Sequence, residues 1–245
     1  MRVVAVVGNS RAGGNSRAGG NSRARRVQSM DYTQARTNMV KAQIAPNNVH
    51  DPVILDGFMA VERERFVAPG REFLAYSDQA VQQNGNGRRL LKPVQAAWMI
   101  QALEVRAGDR VLVAGAGSGY EVALLAAMGV EVWAVEADPA LLERGREQAR
   151  IPPTRWRLGD PLQGWVEESP FDGILFGGAI VALPHQVVSQ LGREGRLVAV
   201  VGLPGDPVME ALRVRGIAGS DDPDLLFETV APHLADGGAG RPFRL

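Results

Sequence analysis

The sequence contains no cysteine, so disulfides, thiolate catalysis and cysteine-ligated zinc are all excluded. It has only three histidines, His50, His185 and His233, too scattered to suggest a histidine-rich metal centre, and no metal is expected. No apolar run approaches the ~20 residues of a membrane-spanning helix, so no membrane partner is expected. Lys and Arg number 27 and Asp and Glu number 27. With zero net charge, bulk electrostatics gives the folded part no reason to hold nucleic acid. What remains is a globular composition, 45% apolar and 22% charged. At 245 residues the chain has room for one large α/β domain or two small ones.

The first 29 residues are unlike the rest. Gly8-Asn-Ser-Arg-Ala-Gly13 recurs at Gly14–Gly19 and nearly again at Gly20–Arg25. A low-complexity repeat without apolar periodicity predicts disorder. Its arginines and lack of acids also allow a basic arm for nucleic acid. The preferred expectation is a dispensable leader, with Met30 as the natural start.

The most informative stretch is Arg110-Val-Leu-Val-Ala-Gly-Ala-Gly-Ser-Gly-Tyr120. Val111–Ala114 reads as a strand buried on both faces, followed by Gly115, Gly117 and Gly119, and then by a helical pattern through Val122, Leu124, Leu125 and Met128. Strand, glycine turn and helix form the nucleotide-binding corner of open α/β sheets, although glycines also make ligand-free tight turns. A dinucleotide motif spaces its glycines G-x-G-x-x-G. Here Tyr120 occupies the last glycine's place, which favours S-adenosylmethionine over NAD. A second strand, Val130–Val135, ends at Glu136. An acid there can accept hydrogen bonds from both ribose hydroxyls. It could also be a surface carboxylate, but Asp138-Pro139 already supplies the next helix start.

The rest of the chain fits around this corner. A helix is expected from Asp31 through Ala35, Met39, Val40 and Ile44 until Pro46, and another from Asp51-Pro52 to about Val61. Gly85-Asn-Gly87 is a second glycine loop, and Pro93 opens a helix through Leu103. After the helix from Pro139 to about Ala149, strands are expected at Arg155–Leu158, Phe171–Phe176 and Arg196–Val201, with a helix from Pro184 carrying Val187, Val188 and Leu191. Such alternation predicts a parallel sheet with helices on both sides. Gly115, Glu136, Asp160 and Gly177 all fall at carboxyl ends of strands, where such sheets bind ligands. Asp160 could accept from an adenine amino group, or simply make a Gly-Asp-Pro turn. Met209–Val214 and Leu225–Val230 read as closing strands, and Gly237–Pro242 as a flexible tail.

Taken together, these residues resemble the protein-L-isoaspartate O-methyltransferases from about Met39 to Leu212. The resemblance rests on Asn38–Ile44, Val61-Glu-Arg-Glu-Arg-Phe-Val67, Ala75-Tyr-Ser-Asp78, the cofactor motif to Tyr120, Gly159-Asp160, Phe171-Asp172, Pro184 and Leu191–Leu197 in order. It implies an α/β fold of the Rossmann-like class I methyltransferase type, with a mostly parallel seven-stranded sheet. The expected organisation is a leader at 1–29, an N-terminal elaboration at 30–108 and a core at 109–245, one domain from residue 30. The resemblance implies methyl transfer from S-adenosyl-L-methionine to a free carboxylate of damaged protein or peptide, in the cytoplasm, leaving S-adenosyl-L-homocysteine. The implied cofactor contacts are Gly115, Ala116, Gly117, Ser118, Gly119, Tyr120, Glu136, Ala137, Gly159, Asp160 and Gly177. The implied substrate region is Tyr76, Asp78, Arg89 and Leu91. One departure stands out. Where the family has Gln-Thr-Ile-Ser-x-Pro-His, this chain has Arg88-Arg-Leu-Leu-Lys-Pro-Val94, so Leu91 stands at the serine position. Arg88, Arg89 and Lys92 then read either as attracting an acidic substrate or as a solvated loop. An alternative function follows: a cofactor-binding protein-recognition module without catalysis.

Overall fold

A computed structural model describes residues 30–85, 87–149, 154–216 and 223–234. The repeat of the first 29 residues and the tail at Gly237–Pro242 lie outside the described residues.

The chain opens with α1 (Tyr32–Met39), which widens into a π-helical turn (Val40–Ile44) before Pro46. Helix α2 (Pro52–Ala60) follows. The Asp31 carboxylate accepts from Gln34 N at 3.0 Å, and that of Asp51 accepts from Val53 N at 2.8 Å. Each acid satisfies amides that the first helical turn leaves free. A two-stranded hairpin, β1 (Val81–Gln82) with β2 (Arg89–Leu90), leads into α3 (Pro93–Leu103). Strands of two residues are too short for periodicity to reveal, and the sequence gives this hairpin only as a glycine loop.

The core alternates as β3 (Arg110–Ala114), α4 (Tyr120–Ala127), β4 (Glu131–Glu136), α5 (Pro139–Gln148) and β5 (Thr154–Leu158). Then come β6 (Phe171–Phe176), α6 (His185–Val188), β7 (Leu191–Val201), β8 (Met209–Arg215) and β9 (Asp224–Thr229). The seven-stranded sheet runs β5-β4-β3-β6-β7-β8-β9. Its first five strands are parallel, and β8 and β9 close it antiparallel. After β3 the chain winds outwards to β5, then returns to place β6 on the other side of β3. The connections therefore diverge at the carboxyl ends of β3 and β6, the point where open α/β sheets form a ligand crevice.

Alternate residues of the central strands enter different cores. Val111, Val113, Val132, Ala134 and Leu175 face α3 and α4, while Leu112, Ala114, Trp133, Val135, Ile174 and Phe176 form the opposite cluster. Burial on both faces explains why β3 is apolar without alternation. The second face is closed differently from expectation. The helix anticipated from Pro184 to Leu191 is the single turn of α6, and Leu191 is already the first residue of β7, paired with Phe171. Gln190 ends the turn: its side-chain amide donates to the carbonyls of Gln163 and Gln186, and its oxygen accepts from Trp165 N. The loop carrying Leu162 and Trp165 covers this face where a longer helix was expected.

Helix α5 packs on β5 through a missing side chain. A Cβ at Gly145 would stand 2.6 Å from Cζ3 of Trp156. Gly145→Ala gains about 1 kcal/mol of helix propensity. Overpacking against a ring on a fixed strand costs about 1–3 kcal/mol, so the clash should prevail. The variant is expected to melt a few degrees lower in a thermal denaturation scan.

Candidate active site

The site grows from the glycine turn after β3. Gly115, Gly117 and Gly119 have φ of 75°, 57° and 92°, in the left-handed region that favours glycine. At Gly117 the space is restricted as well, because a Cβ would lie 2.9 Å from Cδ of Gln83. A Cβ at Gly177, after β6, would overlap the Gly115 carbonyl oxygen. Gly177 N donates to Ala114 O at 2.9 Å, joining the ends of β3 and β6.

Glu136 ends β4 and is 3% exposed. Its Oε1 accepts from Ala137 N and Asp138 N, both at 3.0 Å, and its Oε2 accepts from Gly117 N at 2.6 Å. One buried carboxylate thus ties the β4 turn to the glycine turn. Gly159 N donates to Glu136 O at 3.0 Å, which adds the end of β5 to the rim. Asp160 follows and caps its own turn, accepting from Leu162 N at 2.8 Å. Asp138 caps α5 through Ala140 N at 2.8 Å, so Glu136 is indeed left over from helix capping.

Several residues at this rim escape a sequence reading. Gln83, in the hairpin loop, accepts from Ser118 N at 2.6 Å through Oε1. Arg88 is 5% exposed and donates from Nη2 to Gly115 O at 3.0 Å and from Nη1 to Leu234 O at 2.9 Å. Its Nη2 also lies 3.5 Å from Glu136 Oε2. Arg88 is thus neither a solvated residue nor one facing an incoming acidic chain, and of the three cations in its loop only Arg89 is exposed. Leu234 lies over the glycines, since a Cβ at Gly178 would stand 2.9 Å from its Cδ2. No short-range signal links residues 146 apart in sequence.

Of the remaining candidates, Tyr76, Leu91 and Tyr120 lie around a second network, while Arg89 donates to Ala80 O. Arg63 is fully buried and donates from Nε to Ala75 O at 2.7 Å and from Nη2 to Leu91 O at 2.6 Å. Its guanidinium stacks 4.6 Å from the centre of the Tyr120 ring. Burial pushes the Tyr120 hydroxyl up to about 12, against the opposing pull of Arg63. Tyr76 donates to Glu64 and accepts from Arg36 Nη1 at 3.2 Å. Asp78 is exposed. Leu91 is fully buried, with its side chain in the hydrophobic core. Arg63 therefore joins the Ala75–Tyr76 segment, Leu91 and the first residue of α4. Its place in Val61–Val67 was the only signal for it. Among the described residues there is no cluster of three His, Asp or Glu able to hold a metal.

A parallel sheet with its strand order reversing at β3 and β6, a glycine turn after β3 and a buried acid ending β4 define the Rossmann-like class I methyltransferase fold. The family model for protein-L-isoaspartate (D-aspartate) O-methyltransferase matches residues 34–219. The protein-L-isoaspartate O-methyltransferase of Methylorubrum extorquens (strain PA1) is 42% identical over 188 residues, 76% of this chain and 82% of the relative. A solved protein-L-isoaspartate O-methyltransferase superposes with a TM-score of 0.71 at 22% identity, over 81% of this chain and 65% of that one. Another, from Plasmodium falciparum and in complex with S-adenosyl-L-homocysteine, gives 0.67 at 19% identity, over 84% of this chain and 98% of that one. The chain belongs to the protein-L-isoaspartate O-methyltransferase family.

Behind the glycine turn, Glu121 is 2% exposed and its Oε1 has no hydrogen-bond partner among the described residues. Burial raises its pKa, against backbone hydrogen bonding and the nearby Arg63 and Arg88. A folded pKa above the unfolded one destabilises the fold once pH exceeds the folded value, and the penalty fades as pH falls to the unfolded value. Glu121→Gln should raise the melting temperature at pH 7.5, with a smaller difference at pH 4.5, in paired thermal scans.

Proposed function

We propose that this protein methylates the free carboxylate of isoaspartyl residues in damaged protein or peptide, with S-adenosyl-L-methionine as donor, in the cytoplasm. The observation that carries the reading is the buried Glu136 carboxylate held against the glycine turn, in a chain that matches its family over residues 34–219. The residues present fit the cofactor. An acid at the tip of β4 suits a ribose diol. Residue 117 is a glycine held at φ 57°, so backbone without a side chain can approach a ligand closely. Glu136 would hold the ribose, Asp160 the adenine edge, and Gly115–Tyr120, Ala137, Gly159 and Gly177 would line the cleft. When bound, the cofactor supplies an electrophilic methyl on a sulfonium that is already a good leaving group.

The protein's own task is then mostly geometric. The acceptor carboxylate is ionised near neutrality, so no residue need act as general base. Glu136 and the backbone around it would fix the donor end. The Leu91 side chain belongs to the core and offers the acceptor no hydrogen bond. Family membership therefore favours the enzyme over a recognition module that has lost catalysis. Among the described residues no helix is long and apolar enough to cross a membrane.

Purified protein with methyl-labelled donor should form a base-labile methyl ester on an isoaspartyl peptide and none on the matched aspartyl peptide. Binding of donor without ester would favour the recognition module. Glu136→Gln removes a charged acceptor worth about 1.5–3 kcal/mol, so calorimetry should show roughly 10–100-fold weaker binding of S-adenosyl-L-homocysteine. Leu91→Ser leaves a cavity and an unpaired hydroxyl in the core. By analogy with Leu→Ala it should cost about 2–5 kcal/mol, seen as a lower melting temperature, and should not increase ester formation.

A further inference from the structure

We propose that the β1–β2 hairpin and the segment ending at Leu234 form an internal latch over the cofactor cleft, so that an opening step precedes entry of the methyl donor. This rests on the reading of the rim as the cofactor site. Three sets of contacts support it, with Arg88 common to all. First, the acceptor capacity of Glu136 is filled: Ala137 N and Asp138 N on Oε1, Gly117 N and the Arg88 guanidinium on Oε2. A carboxylate has about four acceptor positions, so ribose hydroxyls find none until one of these donors leaves. Arg88 is the longest of the four contacts, at 3.5 Å, and the one whose side chain can swing.

Second, the same guanidinium covers Gly115 O at 3.0 Å, while Gln83 Oε1 covers Ser118 N at 2.6 Å and its amide lies on Gly117. The hairpin thus meets an acceptor with a donor and a donor with an acceptor. Third, the Leu234 side chain lies on Gly115 and Gly178, where a Cβ at either would approach it within 3 Å. Arg88 Nη1 donates to Leu234 O at 2.9 Å and so fastens the two halves to each other. The fastening is incomplete, because the buried Arg88 Nε has no hydrogen-bond partner among the described residues. A buried charge with an unpaired donor is costly to keep, which favours release when a better set of partners arrives.

A latch taxes affinity by the fraction of molecules that are open. It also limits association to the opening rate. The test is stopped-flow mixing with S-adenosyl-L-homocysteine, read by intrinsic tryptophan fluorescence; Trp156 sits beside Gly119. In the parent chain the observed rate should level off with ligand concentration. Arg88→Gln and Leu234→Ala should each raise that plateau at least fivefold and tighten binding in calorimetry. A rate that stays linear throughout, or weaker binding with no faster plateau in both variants, would overturn the latch. If Arg88→Gln does not fold by thermal scan, the half-buried Leu234 position decides alone. Binding without a plateau removes the latch and leaves the cofactor reading standing. No binding by the parent or either variant removes both.

Discussion

A single carboxylate holds the rim together. Glu136 gathers amides from its own turn and from the glycine turn one strand away, and both oxygens are engaged. A buried carboxylate without donors would be expensive, and one with three backbone N–H donors is well compensated. The arrangement needs β3 and β4 in parallel register, because Ala114 pairs with Val135 and the two turns then begin at the same level. It also favours glycine at residue 117, where the turn that donates to Glu136 holds φ at 57°. Sheet register, strand burial and turn geometry therefore converge on one interaction.

That convergence explains which parts could be read from the chain. Val111–Ala114 is buried on both faces, and so its uniform apolarity marked a central strand. Asp51 and Asp138 precede prolines as caps, and the structure shows both accepting from first-turn amides, as Asp31 also does. These signals are local: a residue and its partner lie within three positions. The glycine turn and the acid at the end of the next strand are also close in sequence, 19 residues from Gly117 to Glu136.

What escaped was set by topology. Gln83 meets Ser118 across 35 residues, and Arg88 meets Gly115 across 27. Nothing in Arg88-Arg89 says that one arginine turns inwards and its neighbour outwards. The alternation of a two-residue strand decides it, with Leu90 buried and Arg89 exposed. The helix expected after Pro184 failed for a related reason. Val187, Val188 and Leu191 carry helical spacing, but the edge of β6 offered Leu191 a strand partner, and tertiary pairing outweighed a weak local preference.

The leucine at residue 91 shows how far resemblance and structure can diverge at one position. By motif it stands where the family has a serine; by packing it is a core residue whose carbonyl, rather than its side chain, is in use. Arg63 donates to that carbonyl and to Ala75 O, so the backbone of the Leu90–Leu91 segment is fixed whatever side chain residue 91 carries. Transfer of a methyl group to an ionised oxygen asks for alignment and dryness, and neither depends on a hydroxyl at that point. A site built from backbone amides and one acid can therefore lose a hydroxyl and keep its logic. A triad of interdependent side chains could not, because there the nucleophile's proton must pass to a base that a third residue holds in place.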